Sequence, residues 1–74
     1  MPTIDVPAPM AGSVKELLVT PGEAVSANQE LLILESMKME IPLESPAAGT
    51  VAEILVTPAQ RIDEGQLLLR LQIT

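Results

Sequence analysis

Pro9-Met10-Ala11-Gly12-Ser13-Val14-Lys15-Glu16-Leu17-Leu18-Val19-Thr20-Pro21 is written a second time, 37 residues on, as Pro46-Ala47-Ala48-Gly49-Thr50-Val51-Ala52-Glu53-Ile54-Leu55-Val56-Thr57-Pro58. The register then runs on without a gap, setting Gln29 on Gln66, Leu31 on Leu68, Leu32 on Leu69 and Leu34 on Leu71. The two halves span about residues 8–35 and 45–72. A pair of units is too few for a solenoid, which needs roughly three or more to bury its faces. A pseudo-twofold unit closed on itself is the geometry that remains.

Each half reads as β structure. Residues 12–19 and 49–56 carry β-branched residues and stop at Thr-Pro, since proline cannot donate to a continuing ladder. Leu31–Glu35 and Leu67–Ile73 are short apolar runs, expected as strands buried on both sides. Residues 23–35 hold good helix formers, but the run is poorly periodic and flanked by corner signals, so strand is expected there as well. Short strands spaced by turns predict an all-β sandwich or barrel. The corners differ between halves, with Gly22 and Asn28 in one and Ala59 and Gly65 in the other. Asn28 can stand for glycine in left-handed backbone, whereas Ala59 is expected at negative φ. Pro2, Pro7 and Pro9 give the opening residues a linker-like character.

Composition removes most other functions. The 74 residues hold ten acids and four bases, a net charge of −6, and are expected to form one domain over 1–74. That balance disfavours nucleic acid and anionic membranes as partners. The sequence has no aromatic residue, so base-stacking platforms are excluded. It also lacks Cys and His, which removes disulfides, ordinary zinc sites and Ser-His or Cys-His nucleophiles. No apolar run approaches the ~20 residues of a membrane span and the start lacks a signal-peptide pattern, so a cytoplasmic location is expected. Acid–base hydrolysis by Glu35, Glu40 and Glu44 would need a concave pocket, which so small a packed domain is not expected to have.

Between the halves lies Ser36-Met37-Lys38-Met39-Glu40-Ile41-Pro42-Leu43-Glu44, which neither copy claims. It is expected near the pseudo-twofold axis, at one end of the domain. Met-Lys is poor turn chemistry, because two-residue hairpins favour Asn-Gly or Asp-Gly. A local rule broken at one place points to function there. Against this, Met37 and Met39 could simply patch the end of the fold, and Glu35 and Glu40 could be solvated strand-end charges. Lys15 reads as an ordinary solvent-facing strand lysine.

Glu35-Ser36-Met37-Lys38-Met39-Glu40 resembles the attachment motif of biotinyl domains, the carriers of biotin-dependent carboxylases and decarboxylases. Residues 8–14 resemble that family's opening strand and residues 45–51 its echo after the motif. The resemblance implies a flattened β-barrel, or barrel-sandwich hybrid, of two four-stranded antiparallel sheets with an attachment hairpin at 36–44. It implies covalent biotin on Lys38, with Met37, Met39 and Glu35 met by a biotin protein ligase and by partners. Those partners would be biotin carboxylase and carboxyltransferase subunits or domains, leaving this chain a carrier without catalytic or metal-binding residues. The sister lipoyl domains usually place Asp before the lysine and Ala after it; Met37 and Met39 stand there instead and point to biotin. A plain β-barrel interaction module would leave the Met-Lys-Met triplet without a reason. Departures from the family are Ala11, Ser36 and the altered corner glycines, and no protruding thumb is inserted between Val19 and Val25.

Overall fold

Leu31, Leu32, Leu34, Leu68, Leu69 and Leu71 are each no more than 1% exposed, and they come from just two strands, β4 and β8. The structure, a computed structural model, describes residues 2–73; the expected bounds at 1 and 74 lie outside them. Its strands are β1 (Thr3–Pro7), β2 (Gly12–Leu17), β3 (Ala24–Val25), β4 (Glu30–Ser36), β5 (Met39–Glu44), β6 (Gly49–Ile54), β7 (Arg61–Ile62) and β8 (Leu67–Ile73). They form two four-stranded antiparallel sheets, ordered β1-β8-β6-β3 and β5-β4-β2-β7. The sheets share no ladder, so the architecture is a sandwich whose aliphatic core lies between them. No helix in the described residues is long and apolar enough to cross a membrane.

The repeat is built into this topology. Adding 37 converts β2, β3 and β4 into β6, β7 and β8, and β1 into β5, so each sheet order maps onto the other. The short strands are exchanged: β3 pairs with β6 and β7 with β2. The opening residues correct the linker reading, because Thr3–Pro7 form edge strand β1 against β8. Their sequence counterpart is β5, with Ile4 on Ile41. The repeat therefore extends beyond the identities first visible, and only the Met37-Lys38 turn stands outside it.

Irregularities repeat as faithfully as strands. The β2–β4 ladder skips Lys15 and the β6–β8 ladder skips Ala52, 37 residues later. Likewise Leu31 is extra opposite β5 and Leu68 is extra opposite β1. These bulges explain why Leu31-Leu32 and Leu68-Leu69 both face the core. Burial on both sides of β4 and β8 was expected, yet Glu35 and Arg70 are exposed, so the strands are one-sided with a bulge. β2 ends at Leu17 rather than Val19, although the Leu18 N–H still donates to the Leu31 carbonyl at 2.9 Å.

Four turns carry the chain between strands, each with left-handed backbone at its third residue: Gly22 (φ 90°), Asn28 (φ 68°), Ala59 (φ 73°) and Gly65 (φ 85°). Each is closed by the fourth residue, whose side-chain oxygen accepts from the first residue's N–H; Glu23 Oε1 takes Thr20 N–H and Gln60 Oε1 takes Thr57 N–H at 3.1 Å. Gln29 and Gln66 do the same at 3.0 Å for Ser26 and Asp63. Asn28 thus fills a glycine position, as expected, but Ala59 does not sit at negative φ. Its N–H donates to the Val14 carbonyl at 2.7 Å, copying the Gly22 bond to Val51 at 2.7 Å. The hydrogen bonds of the repeat hold the backbone against the roughly 1–2 kcal/mol that a Cβ costs there.

Register also separates the two ends of the sandwich. The last pair beside the turn is Ser36 with Met39, and its repeat counterpart is Ile73, whose N–H donates to the Pro2 carbonyl at 3.0 Å. The turn's pseudo-symmetric mate is therefore the pair of chain ends. From the turn, β5 carries the chain roughly 20 Å along the sandwich, after which Gly49 pairs with Ile73. The expected position near the axis is corrected: the Met37-Lys38 turn lies off it, at the end opposite the termini.

Two outcomes follow for stability. Ala59→Gly relieves the left-handed strain and raises the melting temperature by about 2–5 °C, measured by circular dichroism. Gly12→Ala drives a methyl group into the Glu35 backbone carbonyl and lowers stability by about 1–3 kcal/mol in denaturant titration.

Candidate attachment site

The ladder of β4 with β5 sets the site. Inward positions Leu34 and Ile41 pair, then outward Glu35 and Glu40, then Ser36 and Met39, and the chain reverses through two residues. Those residues, Met37 and Lys38, have φ values of 52° and 66°. Positive φ at both central positions marks a type I′ hairpin turn, whose twist matches that of the flanking strands. Met-Lys is a costly pair for it, at roughly 1–2 kcal/mol per non-glycine residue. The turn is nevertheless fixed, because the ladder runs from Leu34–Ile41 through Glu35–Glu40 to Ser36–Met39 and leaves only two residues for the reversal.

Beneath it, Gly12 lies so near the Glu35 carbonyl that no side chain fits there. β2 can thereby pair closely with β4 alongside the hairpin, which supports the turn on a neighbouring strand of the same sheet.

Everything at the apex faces water. Lys38 is exposed, Met37 is 90% exposed and Met39 is 60% exposed. Methionines exposed to this degree patch no core, so the bland reading of them fails. The ion pairs among the described residues use Lys15 and Arg70, and none uses Lys38. Beside the turn is a shallow open hollow of about 330 Å³, bordered by Gly12, Ser13, Ser36, Lys38 and Arg61. It borders Glu35 but neither Glu40 nor Glu44, so the three carboxylates considered for hydrolysis share no cleft. Among the described residues no cluster of acidic side chains is arranged to hold a metal ion.

Glu35 and Glu40 are not merely solvated. They stand directly opposite one another, an arrangement that repels. Lys15 Nζ donates to Glu40 Oε2 at 2.6 Å and lies 3.9 Å from Glu35 Oε2. The Glu40 hydrogen bond and charge, aided by Glu35 and Glu16, raise the Lys15 pKa above the ordinary lysine value. Lys15 is thus distinguished after all, because its bulge swings it over the β4–β5 ladder. Arg61 also escaped the sequence reading. It reaches the hollow only because β7 crosses into the first half's sheet, a pairing without a local signature.

This arrangement suits a covalently held group: an exposed amine on a two-residue turn, beside a hollow that is open to solvent. The comparisons agree. The family model described as "Biotin-requiring enzyme" matches residues 4–71. The methylmalonyl-CoA carboxyltransferase 1.3S subunit of Propionibacterium freudenreichii subsp. shermanii is 53% identical over 36 residues, 49% of this chain and 29% of that protein. The biotin carboxyl carrier protein of Streptococcus mutans is 57% identical over 35 residues, 47% of this chain and 27% of that protein. The alignments therefore span under a third of either relative's length. A solved single-chain, multi-domain long-chain acyl-CoA carboxylase superposes with a TM-score of 0.92 at 35% identity, over 97% of this chain and 7% of its own. Kluyveromyces lactis urea carboxylase shares the fold, with a TM-score of 0.90 at 21% identity over 97% of this chain and 6% of its own. The chain belongs to the biotin-requiring enzyme family, as a biotinyl domain.

Proposed function

We propose that the chain is a biotin carboxyl carrier in which residues 1–74 act as one domain and Lys38 bears biotin. The observation that carries this reading is the apex itself, where a lone unpaired lysine sits in left-handed backbone between two exposed methionines. The Lys38 amine is the nucleophile. Its Nζ attacks the activated carboxyl carbon held by a biotin protein ligase, a C–N bond forms, the activating group departs, and the nitrogen loses protons to become an amide. One positive charge disappears, taking the formal net charge from −6 to −7.

Specificity comes from presentation, because the isolated amine of a lysine is a poor nucleophile at neutral pH. Met37 and Met39 offer the ligase and later partners an adaptable apolar surface on either side of the amine. Glu35 contributes charge at the foot of the turn. Bound biotin supplies a ureido nitrogen that takes up a carboxyl group at one partner site and releases it at another. The sandwich supplies reach and effective concentration, with the Pro2–Ile73 contact at its far end and the apex exposed. Catalysis is assigned to biotin carboxylase and carboxyltransferase partners, with this chain as their carrier. The carboxylase and carboxyltransferase names of the relatives support that assignment.

Co-expression with a biotin protein ligase, followed by intact mass and peptide mapping, tests the reading. The expected result is one added biotin, on the peptide containing Lys38, lost in Lys38→Arg and retained in Lys15→Arg. A lipoyl-sized increment, or no increment, contradicts it.

A further inference from the structure

We propose that Lys15 is a positioning residue for acylation at Lys38: it clamps the opposed Glu35 and Glu40 carboxylates and so fixes the hairpin that the ligase must recognise. This rests on the assignment of Lys38 as the acylated amine. The argument begins with the ladder. Glu35 and Glu40 are the last outward-facing pair before the turn, and like charges set opposite one another push their strands apart. Without a cation the repulsion falls two positions from Lys38 on one side and three on the other.

Lys15 reaches both carboxylates because it is the extra residue of a bulge. Val14 pairs with Leu34 and Glu16 with Ile33, leaving Lys15 unpaired and free to lean over the ladder. Its hydrogen bond to Glu40 is 2.6 Å and its distance to Glu35 is 3.9 Å. Glu16, on the same strand, is the third acid acting on it.

The repeat supplies an internal control. At the opposite end of the sandwich the same bulge is present, but Ala52 occupies it. The pair equivalent to Glu40 and Glu35 is Thr3 with Gln72, in the same register. The far end therefore folds identically with no charge at any of the three positions. What the fold needs is the bulge. The other sheet has its own bridged acids, Asp5 and Glu53 on Arg70, but at different register positions, so the Lys15, Glu35 and Glu40 cluster is not something the fold requires at this end.

Initial rates of acylation by a biotin protein ligase, measured on the full chain against substrate concentration, separate the possibilities. Lys15→Gln is expected to raise KM about two- to fivefold with little change in kcat, because the repulsion it uncovers is of that size. Lys15→Arg restores the wild-type KM, as does the double change of Lys15→Gln with Glu40→Gln. Added salt at about 0.5 M narrows the gap between Lys15→Gln and wild type. Amide hydrogen exchange provides a readout independent of the ligase, and Lys15→Gln is expected to speed exchange at Met37 to Glu40 while β6 and β8 are unchanged. Wild-type KM together with wild-type exchange in Lys15→Gln would overturn the proposal. A wild-type chain left unacylated would instead refute the Lys38 assignment, and the exchange rates would still decide whether Lys15 clamps the hairpin.

Discussion

Burial of three leucines from β4 against three from β8 is the constraint on which the rest of the structure depends. Fully burying a leucine contributes about 1.5–3 kcal/mol, and these two central strands carry the largest side chains of an aromatic-free core. Their burial fixes which residues face inward, and a slip of one residue would turn the leucines to water. Once Leu34 is committed to the core, its partner is Ile41, and the outward pair must be Glu35 with Glu40. Ser36 pairs with Met39 next, and only two residues then remain to reverse the chain. The apex geometry is therefore dictated from below, and Met37 and Lys38 accept backbone angles that neither would choose alone.

The duplicated sequence solves the stability problem of so small a chain by using one solution twice. Strands, bulges, left-handed corners and their side-chain staples recur 37 residues apart, and short strands exchanged between sheets tie the halves together. Departures from this symmetry are then informative. Ala59 departs in residue type but not in conformation, because the hydrogen bonds around it are those of Gly22. Lys15, Glu35 and Glu40 depart in charge but not in backbone. One departure is a strain that the fold absorbs, and the other sets a charge cluster beside the Met37-Lys38 turn.

Much of this was legible in the sequence, and the reasons differ by residue. The spacing of Leu31, Leu32 and Leu34 against Leu68, Leu69 and Leu71 exposed the repeat, and Thr-Pro marked the strand ends. The two-residue turn at Met37 and Lys38 drew attention in the sequence because Met-Lys violates the usual turn chemistry. The edge strand at Thr3–Pro7 was hidden behind its prolines, since pairing with β8 lies 60 to 69 residues away along the chain and leaves no local trace. The position of the hairpin off the axis was hidden for the same reason: its mate is made of two chain ends that only the fold brings together. The Lys15 clamp depends on a bulge, and periodicity two gives no warning that a strand will count one residue extra. Arg61 reaches the apex through a two-residue strand too short to show any pattern.

The proposed carrier role depends on this support, since a group presented on a fixed element is placed more precisely than one on a loose loop. The most direct measurement is the backbone amide order parameter at Met37 and Lys38 from nuclear magnetic relaxation. The account predicts values of about 0.85, equal to those of β4 and β5, as for any rigid backbone. Values below about 0.6, the range of a flexible loop, would show that the apex moves freely and contradict the claim that the core holds it in place.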